Sequence, residues 1–259
     1  MLVRTLAALA LVPLLLILIY GGMPLYVMEF IIVIIGLNEF YKAFKLKNIK
    51  CIENIGYVFT IYMFFKNVFK FPIEYTLLFS FALFLIGAIF MMYNKFNIIE
   101  FAITYFGIIY IAVFLDHIIL TVDNFELGKI YVWVIFILAF MTDTCAYFSG
   151  YFFGKHKLIP QVSPKKTIEG SIGGILGSTI SCVIFGYLFN LDLVHMIIIG
   201  SIGSIVAQVG DLFASSIKRY IGIKDYGKLI PGHGGILDRF DSVIFTAPFV
   251  YYALKLFIQ

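Results

Sequence analysis

The residues best suited to chemistry lie between Asp211 and Asp241, where nine charged side chains, one histidine and a Pro-Gly-His-Gly-Gly turn (Pro231 to Gly235) are gathered. The order is Asp211, then Lys218 and Arg219, then Lys224 and Asp225, then the turn, then Asp238, Arg239 and Asp241. Aspartates supply the hard oxygen ligands that Mg²⁺ takes, and Mg²⁺ usually keeps places for substrate phosphates. Acids brought together from separate helices repel one another unless a cation binds between them. At i, i+4 and i+7, Asp211, Ser215 and Lys218 share a helix face; Asp238 and Asp241 share another at i, i+3. The glycines let backbone N–H groups approach a ligand without Cβ hindrance. His233 suits a phosphate contact or a loop-locking hydrogen bond better than proton transfer. A solvated loop with surface ion pairs is the plainer reading, but it needs no three-glycine turn between charged helices. The layout is that of a site holding a metal ion and phosphates together.

Two upstream segments carry residues of the same kind. In Asp143 to Gly154, Asp143, Tyr147, Gly150 and Gly154 recur at i, i+4, i+7 and i+11, one helical stripe. Gly150 and Gly154 admit a second helix closely, and an acid inside an apolar span needs a partner, commonly a cation or ligand. Lys155 to Gly170 reads as a loop with two prolines and four lysines. A role in setting topology accounts for the lysines but not for Ser163-Pro164-Lys165-Lys166-Thr167, a hydroxyl-flanked basic turn ahead of a glycine-rich helix. Lysines, hydroxyls and a helix N-terminus together receive phosphates.

The elements that must position these groups are set by an apolar composition. The 259 residues are 62% hydrophobic and 13% charged, with a mean hydropathy of +1.01; a soluble domain carries roughly 25% charge. Apolar runs of about 17–22 residues suffice to cross a bilayer. They predict an all-α, polytopic integral membrane protein with about nine transmembrane helices, near 4–20, 24–41, 54–70, 75–93, 98–116, 130–151, 171–189, 193–210 and 242–258. The first run has no small-x-small cleavage pattern after it and reads as an uncleaved span. Basic residues cluster in alternate connections (Lys42 to Lys50, Lys95, Lys155 to Lys166, Lys218 to Arg239), which puts those loops and the N-terminus in the cytoplasm and the C-terminus outside. Lys66 and Lys70 dissent. Residues 1–130 read as a lipid-facing scaffold poor in chemistry, and 131–259 as a catalytic region with cytoplasmic loops 152–170 and 211–241. His156 looks like loop surface, while His117 and His195 fall on the outer side, away from chemistry. Cys51, Cys145 and Cys182 are too scattered for a disulfide framework or zinc site. The net charge of +4 belongs to topology and indicates no nucleic acid. No internal repeat supports an inverted-repeat transporter.

With Ser215, Ile217, Lys218, Arg219, Lys224, Asp225, Pro231 to Gly235, Asp238, Arg239, Phe240 and Asp241 in place, the chain resembles the phosphatidate cytidylyltransferases (CDP-diacylglycerol synthases). Their signature runs Ser-x-hydrophobic-Lys-Arg, four residues, Lys-Asp, then Pro-Gly-His-Gly-Gly and Asp-Arg-hydrophobic-Asp. The likeness continues through Gly210-Asp211-Leu212, the Ser163–Thr167 segment and Asp143-x-x-Ala146-Tyr147-x-x-Gly150. It departs at Ala214, where many bacterial relatives have Glu. The resemblance implies metal-dependent transfer of CMP from CTP to phosphatidic acid, giving CDP-diacylglycerol and pyrophosphate for phospholipid synthesis at the cell membrane. It implies Mg²⁺ on Asp211 and Asp238 with Asp241 nearby, a second cation such as K⁺, and a homodimer among membrane lipids. Lys218, Arg219 and His233 join the aspartates at the chemistry. Asp143, Ser163, Lys165, Lys166, Thr167, Ser215, Lys224, Asp225, Gly234, Gly235 and Arg239 attend the substrates. Two rivals use similar groups: a CTP-dependent lipid kinase, which would need a general base for its hydroxyl, and a cation-coupled transporter.

Overall fold

The computed structural model describes residues 17–227, 229 and 234–258. Its helices are α1 (Gly22–Lys45), α2 (Glu53–Phe69), α3 (Ile73–Met92), α4 (Ile98–Gly107), α5 (Phe114–Asn124), α6 (Gly128–Phe153), α7 (Ile168–Leu188), α8 (Leu193–Ile221) and α9 (Leu237–Ile258). A π-helical stretch, Ile108–Val113, joins α4 to α5 as one rod. Among the described residues seven helices are long and apolar enough to cross a membrane, with α4 to α5 counted once and α2 not included. At 17 residues α2 lies at the short end of the spanning range, about 17–25. The expected first span, 4–20, falls almost wholly outside the described residues. The chain is a multi-pass membrane protein. In α3 only Leu83 and Gly87 are buried, as for a helix whose remaining sides meet lipid.

The chain forms two compact units. The first comprises residues 1–119 and 225–239, the second 120–224 and 240–259. In the first, α1 buries Leu37, Phe40 and Tyr41. The Tyr41 hydroxyl donates to the Thr104 carbonyl at 3.0 Å, and the Ile52 N–H to Thr104 Oγ1 at 2.8 Å. Gly56 and Gly107 make room for the Tyr41 ring: a Cβ on either would come within 2.9 Å of a ring carbon. Asn97 and Glu100 close a reciprocal capping box at the start of α4, which defines that end of the rod.

The far end of that rod overturns an expectation. The expected span ended near 116, yet the helix continues to Asn124. Asp116 and His117 are both buried, and Asp116 has partners: Lys66 Nζ donates to Oδ2 and Asn67 Nδ2 to Oδ1, each at 2.7 Å. Glu29 of α1 is buried within electrostatic reach of Asp116 and Lys66. The N-terminal half therefore holds a buried ion pair. The two dissenting lysines both have partners. Lys66 is neutralised by Asp116, and Lys70 rests on Tyr26, donating to its hydroxyl at 2.5 Å with its ammonium 4.8 Å from the ring centre.

In the second unit α6, α7 and α8 meet through small residues. Gly170, Gly173, Gly174 and Gly177 form one face of α7 against Ala146, Ser149, Thr142 and Cys145 of α6, where almost any Cβ would collide. Gly200 of α8 packs on Thr179 of α7, and the Thr142 hydroxyl donates to Ser204 at 2.9 Å. The α9 segment of this unit joins through Thr246, whose hydroxyl donates to the Ile135 carbonyl at 3.2 Å, and through Phe249 against Gly203.

Two further expectations need correction. The segment 155–170 contains an antiparallel pair, β1 (Lys157–Ile159) and β2 (Ser163–Thr167), with Lys157 opposite Thr167 and Ile159 opposite Ser163. This small hairpin is an addition to an otherwise helical fold; the Glu169 carboxylate braces its base, accepting from the Lys155 N–H at 3.0 Å and facing His156 Nδ1 at 2.6 Å. The flanking spans also reach further than 210 and 242: α8 runs on to Ile221 and α9 starts at Leu237, so the faces expected for Asp211 to Lys218 and for Asp238 and Asp241 lie on these two helices. Helix α8 stops where Gly222 takes a left-handed φ of 90° and the Ile223 N–H folds back to the Lys218 carbonyl at 2.9 Å.

Candidate active site

In the second unit a cavity of about 520 Å³ is lined from four elements, a size usual for small-molecule sites. Helix α6 brings Asp143, Tyr147, Gly150 and Tyr151; the hairpin brings Lys157, Lys165, Lys166 and Thr167; α7 brings Ser171; α8 brings Gln208 and Asp211. Three segments that sequence spacing singled out thus share one wall. Helical stripes explain the convergence: Asp143, Tyr147 and Gly150 repeat on one face of α6, and Gln208 precedes Asp211 by one turn on α8.

Asp211 is the meeting point. Its carboxylate forms an ion pair with Lys166 Nζ, and the Ser215 hydroxyl donates to its Oδ1 at 3.4 Å. Asp241, half-buried on α9, lies within electrostatic range of Asp211, Lys218 and Asp143, and accepts the Ser242 N–H at 2.8 Å. Acids from three helices and lysines from two elements therefore face one another in a largely apolar surround. Lys218 is buried. Among the described residues no three His, Cys, Asp or Glu side chains stand close enough to hold an ion as placed.

Several expected site residues have structural partners. Thr167 caps α7: its Oγ1 accepts the Gly170 N–H at 3.1 Å, and Gly150 and Gly154 close on it. Arg219 is exposed and braces the hairpin, its Nε donating to the Val162 carbonyl at 3.2 Å. Ser163 opens β2 and is half-buried. Lys224, Asp225 and Arg239 are exposed, and none of them lines the cavity. His233 lies outside the described residues, as do Lys228, Pro231 and Gly232.

In the first unit Asp238 opens α9, 7% exposed, and its Oδ2 accepts the N–H groups of Tyr226 at 2.8 Å and Gly235 at 2.9 Å. The Ile236 and Leu237 amides go to Glu39 of α1, at 3.1 and 3.0 Å. Of the glycine turn that was expected to offer its amides to a ligand, Gly235 gives its N–H to Asp238. The two amides that follow the turn go to Glu39, and Gly234 (φ 85°) and Gly235 make room for these carboxylates.

Sequence reading missed Glu39, Gln208 and Ser171. Glu39 is an acid within an apolar run, a signal that was present in the composition. Gln208 and Ser171 bind each other: the serine hydroxyl donates to Oε1, and Nε2 donates to the Ser171 carbonyl at 3.2 Å. Nothing in their spacing announces a pairing across two helices.

Fold and site together define a multi-pass membrane protein whose second unit sets three lysines and two aspartates around one cavity between helices. The chain matches the model of the cytidylyltransferase family over residues 2–257 and belongs to that family. It is 33% identical to a phosphatidate cytidylyltransferase of Staphylococcus haemolyticus, over 95% of this chain and 96% of that protein. A Staphylococcus aureus protein of the same name is 33% identical over the same shares. One from Bacillus subtilis is 38% identical over 63% of this chain and 62% of that protein.

Proposed function

We infer that this chain is a phosphatidate cytidylyltransferase, an enzyme of phospholipid synthesis that transfers CMP from CTP to phosphatidic acid, giving CDP-diacylglycerol and pyrophosphate. The observation that carries the reading is the cavity in which Lys165 and Lys166 stand with Asp143 and Asp211, in a chain of the cytidylyltransferase family. The attacking oxygen belongs to a phosphate monoester already ionised at neutral pH, so no strong general base is needed. That oxygen forms a bond to the α-phosphorus of CTP as the bond to the β-phosphate oxygen breaks, and pyrophosphate leaves. The site's task is to bring two polyanions together and offset their repulsion, so positioning and electrostatics carry the reaction.

Lys165 and Lys166 form a clamp on substrate phosphates, and Lys166, paired with Asp211, would pass from it to an arriving phosphate. Lys218 and Arg219 add positive charge, with Ser163, Thr167, Ser215, Lys224, Asp225, Arg239, Gly234 and Gly235 around the substrates and His233 as a phosphate contact or loop lock. Facing carboxylates, all hard oxygen donors, suit a divalent ion. Asp211, Asp238 and Asp241 would hold Mg²⁺, with a second cation such as K⁺ beside it. Such an ion supplies charge neutralisation at the phosphate oxygens and the leaving group. Residues 1–130 serve as scaffold and 131–259 as the catalytic region. The enzyme works as a homodimer in the cell membrane with its site facing the cytoplasm, where CTP is found. A bilayer scaffold is required because a diacyl lipid leaves the membrane at a cost of ~0.8 kcal/mol per CH₂.

Purified protein given phosphatidic acid, Mg²⁺ and CTP labelled in the α-phosphate should produce a labelled liponucleotide. Label reaching lipid only from γ-labelled CTP would make it a lipid kinase instead. Cation flux in proteoliposomes without CTP, and no lipid product, would make it a transporter.

A further inference from the structure

The first unit holds a carboxylate that the mechanism above leaves unused. Glu39 sits on α1 at 9% exposure, far in sequence from every motif. Its oxygens divide the first amides of α9 between them, Oε1 taking Ile236 and Oε2 taking Leu237. A helix N-terminus has unsatisfied N–H groups and a positive dipole end, both of which favour an anion. Gly227 and Gly235 lie directly on the carboxylate: a Cβ would stand 2.3 Å from it at the first and 2.4 Å at the second. The next amide back, that of Gly235, goes with Tyr226 N–H to Asp238. One carboxylate thus fixes where α9 begins and how its first turn is rotated, and Asp238 rides on that turn.

We propose that Glu39 is a positioning residue for Asp238, holding the start of α9 so that the Asp238 carboxylate keeps one orientation. The role rests on the reading of Asp238 as a metal-holding carboxylate. Glu39 is suited to it by having two acceptors for two amides. A glutamine offers one oxygen and turns an NH₂ group against the other N–H, while an aspartate is one methylene short.

The test uses the full chain in detergent, with Glu39→Gln, Gly235→Ala and the double variant. Groups that orient metal ligands typically contribute about 10–100-fold, so Glu39→Gln should lower kcat by that factor. KM for CTP should stay within about twofold, more Mg²⁺ should be needed for half-maximal rate, and the thermal midpoint should stay near that of wild type. Hydrogen exchange at residues 236 and 237 should quicken. Gly235→Ala should act alike by displacing the carboxylate, and the double variant should be no worse than either single, as for two changes in one contact. Turnover within about twofold of wild type for Glu39→Gln would overturn the role. So would a loss confined to KM, unchanged exchange at 236 and 237, or multiplied losses in the double variant. A wild-type protein that makes no liponucleotide would instead overturn the functional reading on which the role rests.

Discussion

The two kinds of charged residue in the candidate site are asked to do different things, and kinetics can separate them. Removing a metal-holding carboxylate forfeits several kcal/mol of charge stabilisation. Asp211→Asn and Asp238→Asn should therefore each lower kcat about 100-fold or more while the protein stays folded, measured as liponucleotide formed at saturating CTP. On the proposed reading Lys166 would contact phosphate in ground and transition states alike, so Lys166→Ala should raise KM for CTP or phosphatidic acid with kcat less affected. A fall in kcat at constant KM would move the Ser163–Thr167 strand to the chemical centre. Asp211 has a second consequence. It forms an ion pair with Lys166, so its loss also frees the clamp lysine, and the Asp211→Asn, Lys166→Ala pair should depart from additivity.

Elements in this chain are held by two devices suited to a bilayer, close glycine packing and buried ion pairing. On α7, Gly173 faces Ser149, where a Cβ would lie 2.0 Å from the hydroxyl oxygen. Gly173→Val should force α6 and α7 apart, destabilising the protein by about 1–3 kcal/mol, the usual cost of overpacking, and should displace the hairpin that α7 carries. The Lys66–Asp116 pair is buried on both sides, 7% and 3% exposed. Breaking such a pair from one side leaves an uncompensated charge and costs about 3–5 kcal/mol. Asp116→Ala should thus lower the thermal midpoint in detergent sharply, and Lys66→Met with Asp116→Leu should recover much of the loss.

For the whole molecule the testable quantity is sidedness. A cysteine at Lys165 should react with an impermeant maleimide only from the cytoplasmic face, and one at Asn190 only from the other, because basic connections stay inside. The reverse pattern would turn the site away from cytosolic CTP and remove the functional reading with it. The native Cys51 should not confuse the result: burial pushes its thiol up to about 12, and only the thiolate reacts, so labelling at neutral pH should be slow.

Periodicity and composition by themselves determined the membrane class, most spans to within a few residues, and the stripes that bear Asp143, Asp211 and Asp241. These are local properties: a 3.6-residue repeat and a run of apolar residues act wherever the chain goes. Tertiary structure decided what depends on partners distant in sequence. Asp116 continues a helix instead of ending it because Lys66 and Asn67 meet it. Lys66 pairs with Asp116, and Lys70 donates to the Tyr26 hydroxyl. Thr167 caps a helix, Arg219 braces a hairpin, and Glu39 holds the first amides of α9 across 198 residues of chain. A charged residue read alone announces only that it needs a partner in an apolar medium; the fold alone says which partner it gets.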